Sequence, residues 1–342
     1  MSAAGVPTGT ARGLTPGVTV AGSGLAELTC ARLLAGHGHL VRLAPAAPDA
    51  GPRPLLLTAP TLDLLRSLWG DGLVDDAPRL THRRVRWGAH APAARFAQPA
   101  WVVDGAVLAR RMRARLGPLP GPDGPTRWTV TARAEAEPVD AVQPAGPVQL
   151  PQAGRRHLLA GTTALRPGED AATAVLDTTE LGWLQLTPLG AGDCLVQAMV
   201  PGPARDPAAL LGRIIADSPL GAALRRPPRS AASVAAAPRL HPAPALAPTE
   251  RQPHGRLTVG AGAIRFDPLS GTGTAQALRT AILASAVVDA ETAGIPAPPL
   301  CAHYTRRLRA AYAEHLRSCA ALYGTAFTGP AWQDELDAAR RA

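Results

Sequence analysis

Apolar and polar positions change period several times along the chain. Residues 17 to 22, Gly-Val-Thr-Val-Ala-Gly, form a β-branched apolar run closed by glycine, and residues 25 to 35 follow with helical spacing. A second short apolar run at 39 to 43 completes a strand–helix–strand unit, and the Pro/Ala-rich stretch 44 to 54 reads as a loop. Leucines at helical spacing predict a helix over 61–69, strands are expected at 84–87 and 101–103, an arginine-rich amphipathic helix at 105–116 and a strand at 128–132. Between 154 and 200, short apolar segments separated by Gly/Pro turns predict an antiparallel sheet, with strands at 183–187 and 194–200. A helix at 207–217, a proline-rich crossing at 225–248, a strand at 256–259 and helices starting near Thr272, Pro299 and Trp332 complete the reading. No internal repeat is present.

A chain of 342 residues can bury one large or two intermediate cores. Hydrophobic residues make up 46% of it but aromatics only 4%, so much of the apolar count is alanine and the core is modest per residue. The formal charge of +9 comes entirely from arginine, because the chain has neither lysine nor asparagine, a bias expected of a GC-rich coding sequence. Arginines are dispersed, and pairs such as Arg83-Arg84 and Arg340-Arg341 lack interleaved aromatics, which argues against nucleic acid as a partner. Without lysine, Schiff-base chemistry and a Walker A phosphate loop are excluded. Cys30, Cys194, Cys301 and Cys319 form no CxxC pair, so buried thiols are expected rather than zinc or a disulfide framework. No signal-peptide pattern or membrane-spanning apolar run is seen, and a cytoplasmic location is expected.

Two glycine-rich loops carry the candidate chemistry. Gly22-Ser-Gly-Leu-Ala-Glu27 lies between a strand and a helix, where a dinucleotide fingerprint belongs. Gly22 makes the turn, and Gly24, Leu25 and Ala26 present backbone amides to a pyrophosphate at the helix N-terminus. Glu27 replaces the usual small third residue, which argues against simple cofactor binding here, the alternative being that it faces solvent on the first turn, where a carboxylate suits the helix dipole. Ala44 stands where an acid normally binds the ribose. The second loop runs from Leu257 through Gly260, Asp267, Pro268, Gly271, Thr272 and Gly273 to Leu278, again strand, irregular loop and helix.

This second loop resembles the Pro-x-x-Gly-x-Gly motif of the FAD-dependent monooxygenase superfamily, the p-hydroxybenzoate hydroxylase-like fold. The resemblance extends over most of residues 17 to 290. It implies an α/β chain, with an FAD/NAD(P)-binding Rossmann-like domain, an inserted antiparallel-sheet substrate domain and C-terminal helices. On this reading 1–16 is a flexible N-terminus and 17–58, 101–135 and 250–292 make a discontinuous FAD-binding domain. Residues 59–100 and 150–249 then make the substrate domain, and 293–342 the C-terminal helices. The resemblance places the Gly271 to Gly273 amides and Asp267 beside the flavin ring, Arg53 near the cofactor, and Trp183 and Gln185 on the substrate face. Residues 102 to 108, Val-Val-Asp-Gly-Ala-Val-Leu, match a strand-to-helix junction of the superfamily, with Asp104 a helix cap in the plainer reading. The superfamily's Gly-Asp pair falls on Gly260-Ala261, and its Asp-Gly segment after Trp128 is lacking.

Within the superfamily the sequence from Phe266 to Gly271 and the helix bearing Tyr304, Arg307, Tyr312, His315 and Leu316 look most like the flavoprotein maturases of quinone-cofactor amine oxidases and peptide-tailoring oxygenases. That implies hydroxylation of an electron-rich small molecule or peptide residue by reduced FAD and oxygen, with NAD(P)H as electron donor. Flavin halogenases need a lysine that this chain lacks. The alternative is a flavoprotein fold that has lost productive cofactor binding and acts as a scaffold. No metal site is expected, His37 and His39 suit a turn, and His315 reads as a surface residue.

Overall fold

A computed structural model of the chain describes residues 17–44, 54–88, 91–132, 152–241, 245–247 and 254–342. Residues 1–16, Arg53 and most of the segment that follows Trp128 lie outside them. The described chain opens with β1 (Val18–Ala21), α1 (Leu25–Gly36), β2 (Val41–Ala44), β3 (Pro54–Thr58) and α2 (Ala59–Trp69). It continues through β4 (Arg79–Arg86), β5 (Ala94–Asp104), α3 (Gly105–Leu116) and β6 (Trp128–Thr131). Next come β7 (His157–Ala164), β8 (Thr173–Thr178), β9 (Trp183–Gly190), β10 (Asp193–Val200), α4 (Pro207–Ala216), β11 (Ala232–Ala235) and β12 (Arg239–Leu240). The last elements are β13 (Ala245–Ala247), β14 (His254–Thr258), β15 (Ile264–Arg265), α5 (Gly273–Thr292), α6 (Ala297–Gly324) and α7 (Pro330–Arg341).

The strands form two main sheets. A five-stranded sheet in the order β13-β14-β6-β1-β2 is parallel apart from β13, with Val18 opposite both Val41 and Trp128. Val18, Val20, Val130 and Leu257 are fully buried in it, against Cys30, Ala31 and Leu34 of α1 and Ala281 and Ala284 of α5. Apolar residues at successive alternate positions of short strands, with crossover helices packed on them, are what a buried parallel sheet requires. His37 and His39, in the turn after α1, both reach Asp289 of α5, at 2.6 and 2.7 Å, and tie that turn to the helix.

The larger sheet has eight strands in the order β11-β7-β10-β9-β8-β4-β5-β3, antiparallel except where β4 lies beside β8. Leu184 and Leu186 of β9 and Val196 and Ala198 of β10 pack with Leu211, Ile214 and Ile215 of α4. Residues 54–58, expected with the nucleotide-binding segments, pair here with β5, Leu56 opposite Val102. Strand β4 is longer than its apolar content predicts, and β11 falls within the stretch expected to be an irregular crossing. Helix α6 runs past both sheets. Tyr304, Leu308, Tyr312 and Leu316 join the core of the parallel sheet, while Cys319 and Tyr323 join Trp183, Met199, Phe327 and Trp332 beside the larger one. Among the described residues, no helix is long and apolar enough to cross a membrane.

Candidate functional site

Three helices begin at one cavity of about 460 Å3 between the two sheets. Helix α1 contributes Gly24, Leu25, Ala26 and Glu27, α3 contributes Gly105 and Ala106, and α5 contributes Gly273 and Thr274. A helix start leaves up to four backbone N–H groups without intrahelical partners and carries partial positive charge. At α3 the Asp104 side chain accepts from the N–H groups of Ala106 and Val107, both at 2.9 Å. Helices α1 and α5, which pack on each other, have no side-chain cap at Gly24 or Thr272. Neither start is capped by its N-cap side chain, and the start of α5 is open to the cavity while the Glu27 side chain folds back over that of α1.

The loop before α5 is shaped for this. Asp267 opens a 3-10 turn over Pro268–Ser270, and Gly271 ends it in the left-handed region at φ 62° and ψ 11°. That conformation favours glycine. Pro268, Leu269, Gly271 and Gly273 line the cavity, and Thr272 holds its hydroxyl on Ser270 at 2.9 Å instead. Gly260 also lines it, with its N–H donated to Thr280 Oγ1 at 2.8 Å.

Polar groups from the larger sheet face the loop. Arg83 donates to Gln185 Oε1 at 3.2 Å and Gln185 donates to Thr187 Oγ1 at 3.0 Å, with Gln197 opposite Gln185 across the β9–β10 pair. Burial lowers the Arg83 guanidinium below its ordinary range. Leu55, Leu56, Val102 and Leu195 complete this end with apolar surface. A few fixed polar groups in an otherwise apolar concavity are what orient a small ligand.

Asp267 and Trp183 do not reach the cavity, which corrects two expectations. The Asp267 side chain is 1% exposed and stands behind its own loop, where its Oδ1 accepts from Leu269 N–H at 3.0 Å. Tyr323 donates its hydroxyl to this carboxylate at 3.0 Å, and the Tyr323 oxygen accepts from Trp183 Nε1 at 2.8 Å. Arg156 lies between Asp267 and Glu335 with N–O distances of 3.2 and 3.3 Å, the first close enough for an ion pair but without hydrogen-bond alignment. Burial pushes the Asp267 carboxyl up, against the opposing pull of Arg156. Trp183 is core because, on the same face of β9 as Gln185, it lies where Tyr323 and Trp332 cover the strand, whereas Gln185 lies where the cavity opens. His315, expected at the surface, is buried: its Nε2 accepts from the Asp267 backbone N–H at 2.8 Å and its ring stacks on Phe266. Asp267 and His315 thus position the loop.

Glu27 does not take the solvent-facing alternative. It is 5% exposed and folds back over the turn instead of facing solvent. Its Oε1 accepts from Ala132 N–H at 3.1 Å, its Oε2 lies 2.7 Å from where a Cβ on Gly24 would stand, and a Cβ on Gly22 would overlap the same carboxylate. Gly22 itself is not among the lining residues. The residues present fit the ring end of a flavin, where the Gly271–Gly273 loop is open, and crowd the dinucleotide turn, where Glu27 sits.

Glycine spacing and the Pro-x-x-Gly-x-Gly pattern identified the loops in the sequence. Arg83, Gln197 and Thr187 were missed. A polar residue centred in an apolar strand, as in Cys-Leu-Val-Gln-Ala-Met-Val, was the available signal for Gln197.

No family model and no curated protein matches the chain. Solved structures do. The peptidyl tryptophan dihydroxylase QhpG, described as essential for tryptophylquinone cofactor biogenesis, superposes with a TM-score of 0.71 at 19% identity over 94% of this chain and 78% of its own. The flavin-dependent halogenase CmlS gives 0.70 at 17% identity, over 95% and 68%. A variant of HpxO from Klebsiella pneumoniae, complexed with FAD, gives 0.67 at 16% identity, over 96% and 95%. The chain has the fold that these proteins share.

Proposed function

We propose, from a fold shared with FAD-binding oxygenases and halogenases, that the protein is an FAD-dependent monooxygenase-like oxidoreductase that hydroxylates an electron-rich substrate. The observation that carries this reading is the convergence of the open start of α5 and the left-handed Gly271 loop on one cavity that the start of α1 also lines. Backbone amides so placed stabilise negative charge at a fixed position. FAD, reduced by NAD(P)H, would supply electrons and activate oxygen; the protein supplies position and dryness. The amides around Gly271 and Gly273 would hold the ring's polar edge, with Asp267, Tyr323 and His315 fixing the loop from behind. Arg83, Gln185 and Gln197 would orient the substrate, and Leu55, Leu56 and Val102 would exclude water. The likeness to a peptidyl tryptophan dihydroxylase favours a residue within a peptide as substrate, hence a tailoring role.

A second reading has its own observation. Glu27 over the dinucleotide turn, with Ala261 and Ala44 where carboxylates would assist binding, favours a scaffold that no longer uses the cofactor. One experiment decides between them: the visible spectrum of the purified protein with and without added FAD. A bound-flavin spectrum, bleached by NADH or NADPH, is expected; no flavin bound even at high FAD would overturn the enzyme reading.

A further inference from the structure

Resting on the reading of this cavity as a flavin site, we propose that Glu27 is an internal anion seated in the dinucleotide turn, so that the protein holds its flavin by the ring end and gains little from the adenosine diphosphate arm. The N-terminus of a helix that follows a parallel strand is a ready anion site, because its free N–H groups and dipole both favour negative charge. In a doubly wound sheet the pyrophosphate lies in that turn, outside the carboxyl ends of the strands. Here β1 and β6 end beside the turn, at Ala21 and Thr131, and the Glu27 carboxylate accepts from the N–H of Ala132, the residue after β6.

Glu27 is the third residue of α1, the position from which a glutamate folds back over its own helix start. Its Oε2 is 2.7 Å from the Cβ position of Gly24, so it covers the glycine that would admit a diphosphate, and its Oε1 is pinned by Ala132 N–H. The side chain is 5% exposed, too enclosed to swing aside without vacating the turn. A diphosphate entering would meet a fixed like charge at contact range, in surroundings where water screens it poorly. Among the described residues lining the cavity, the one cation is Arg83, and it is held by Gln185 at the opposite sheet. The ring-end loop carries no such obstruction: nothing lies within 4 Å of a Cβ built on Gly271 or Gly273. The two ends of the site are therefore unequal, and the inequality is set by one side chain.

Titration of the wild-type protein, E27A and E27Q with FAD and with riboflavin, followed by quenching of flavin fluorescence, tests this. The wild type should bind FAD within about threefold of riboflavin. Both variants should bind FAD at least about tenfold more tightly than the wild type, while riboflavin changes by less than about twofold, since only FAD carries the charge that Glu27 opposes. E27Q keeps the shape of the side chain, so it decides the matter if E27A fails to fold. Wild-type affinity for FAD about a hundredfold above that for riboflavin would overturn the inference and leave the flavin reading standing, as would FAD affinity unchanged in E27Q. Equal tightening of both flavins would also overturn it, pointing to space and not charge. No binding of either flavin by any of the three proteins would overturn the flavin reading and this inference with it.

Discussion

His315 shows how much of this site rests on groups that never touch the cavity. Its Nε2 accepts the Asp267 N–H, so that nitrogen carries a lone pair and the ring is neutral. Burial and the Arg156 charge together bring its pKa from 6.5 down to about 4. His241 is brought down to about 4 as well, by burial and by Arg239 and Arg265. A base with a depressed folded pKa contributes stability that is complete above its unfolded pKa and lost as pH falls towards the folded one. The window is therefore pH 6.5 to about 4. Urea denaturation should show stability falling across it, with each histidine adding up to about 1.4 kcal/mol per pH unit, and H315Q should be flatter than the wild type. A profile in H315Q as steep as the wild type's would remove His315 as a cause. Arg156 belongs to the same cluster. One guanidinium between two buried carboxylates is a costly arrangement to open, because loss of the cation leaves both acids without compensation.

At the scale of elements, the three helix starts differ only in what covers them: Asp104 at α3, Glu27 at α1, and no side chain at α5. The Asp104 cap is a separable contribution. D104A should lower stability by about 1 kcal/mol in equilibrium denaturation, within the range of about 0.5–2 kcal/mol for such caps, and no change would mean that Ala106 and Val107 need no partner there. This is also the scale at which the sequence was most legible. The strand–glycine–helix order around Gly22 and Gly271 is written in local chemistry, since turns need glycine and helix starts need small residues. Arg83 was not legible because β4, Arg-Leu-Thr-His-Arg-Arg-Val-Arg, reads as polar surface. Only its pairing with β5 and β8 sets which arginine faces the cavity. Trp183 and Gln185 lie two apart in β9 and share one face, yet only Gln185 reaches the cavity. The enclosure of Trp183 by Met199, Tyr323 and Trp332 depends on C-terminal helices that no local pattern places there. Which way Glu27 turns was open in the sequence for the same reason: Ala132, whose N–H it accepts, lies 105 residues away.

For the whole molecule the decisive element is α6. Its first half is packed into the core of the parallel sheet and its last turns into the core beside the larger one, with Tyr304 donating to Thr258 O and Tyr323 to Asp267. A single rigid helix shared by two cores couples their unfolding. Calorimetry should therefore give one transition with calorimetric and van't Hoff enthalpies equal, and two resolved transitions would show that the cores melt separately. The four thiols offer a chemical view of the same coupling. Cys30 and Cys301 are buried with the parallel sheet, Cys194 with α4 against the larger sheet, and Cys319 in the cluster where α6 and α7 meet that sheet. Three of the hydrophobic cores thus enclose alkylation sites, and in a chain without lysine these are the side chains that an electrophile reaches last. The protein carries an internal clock for each of these three cores, which starts only when that core opens.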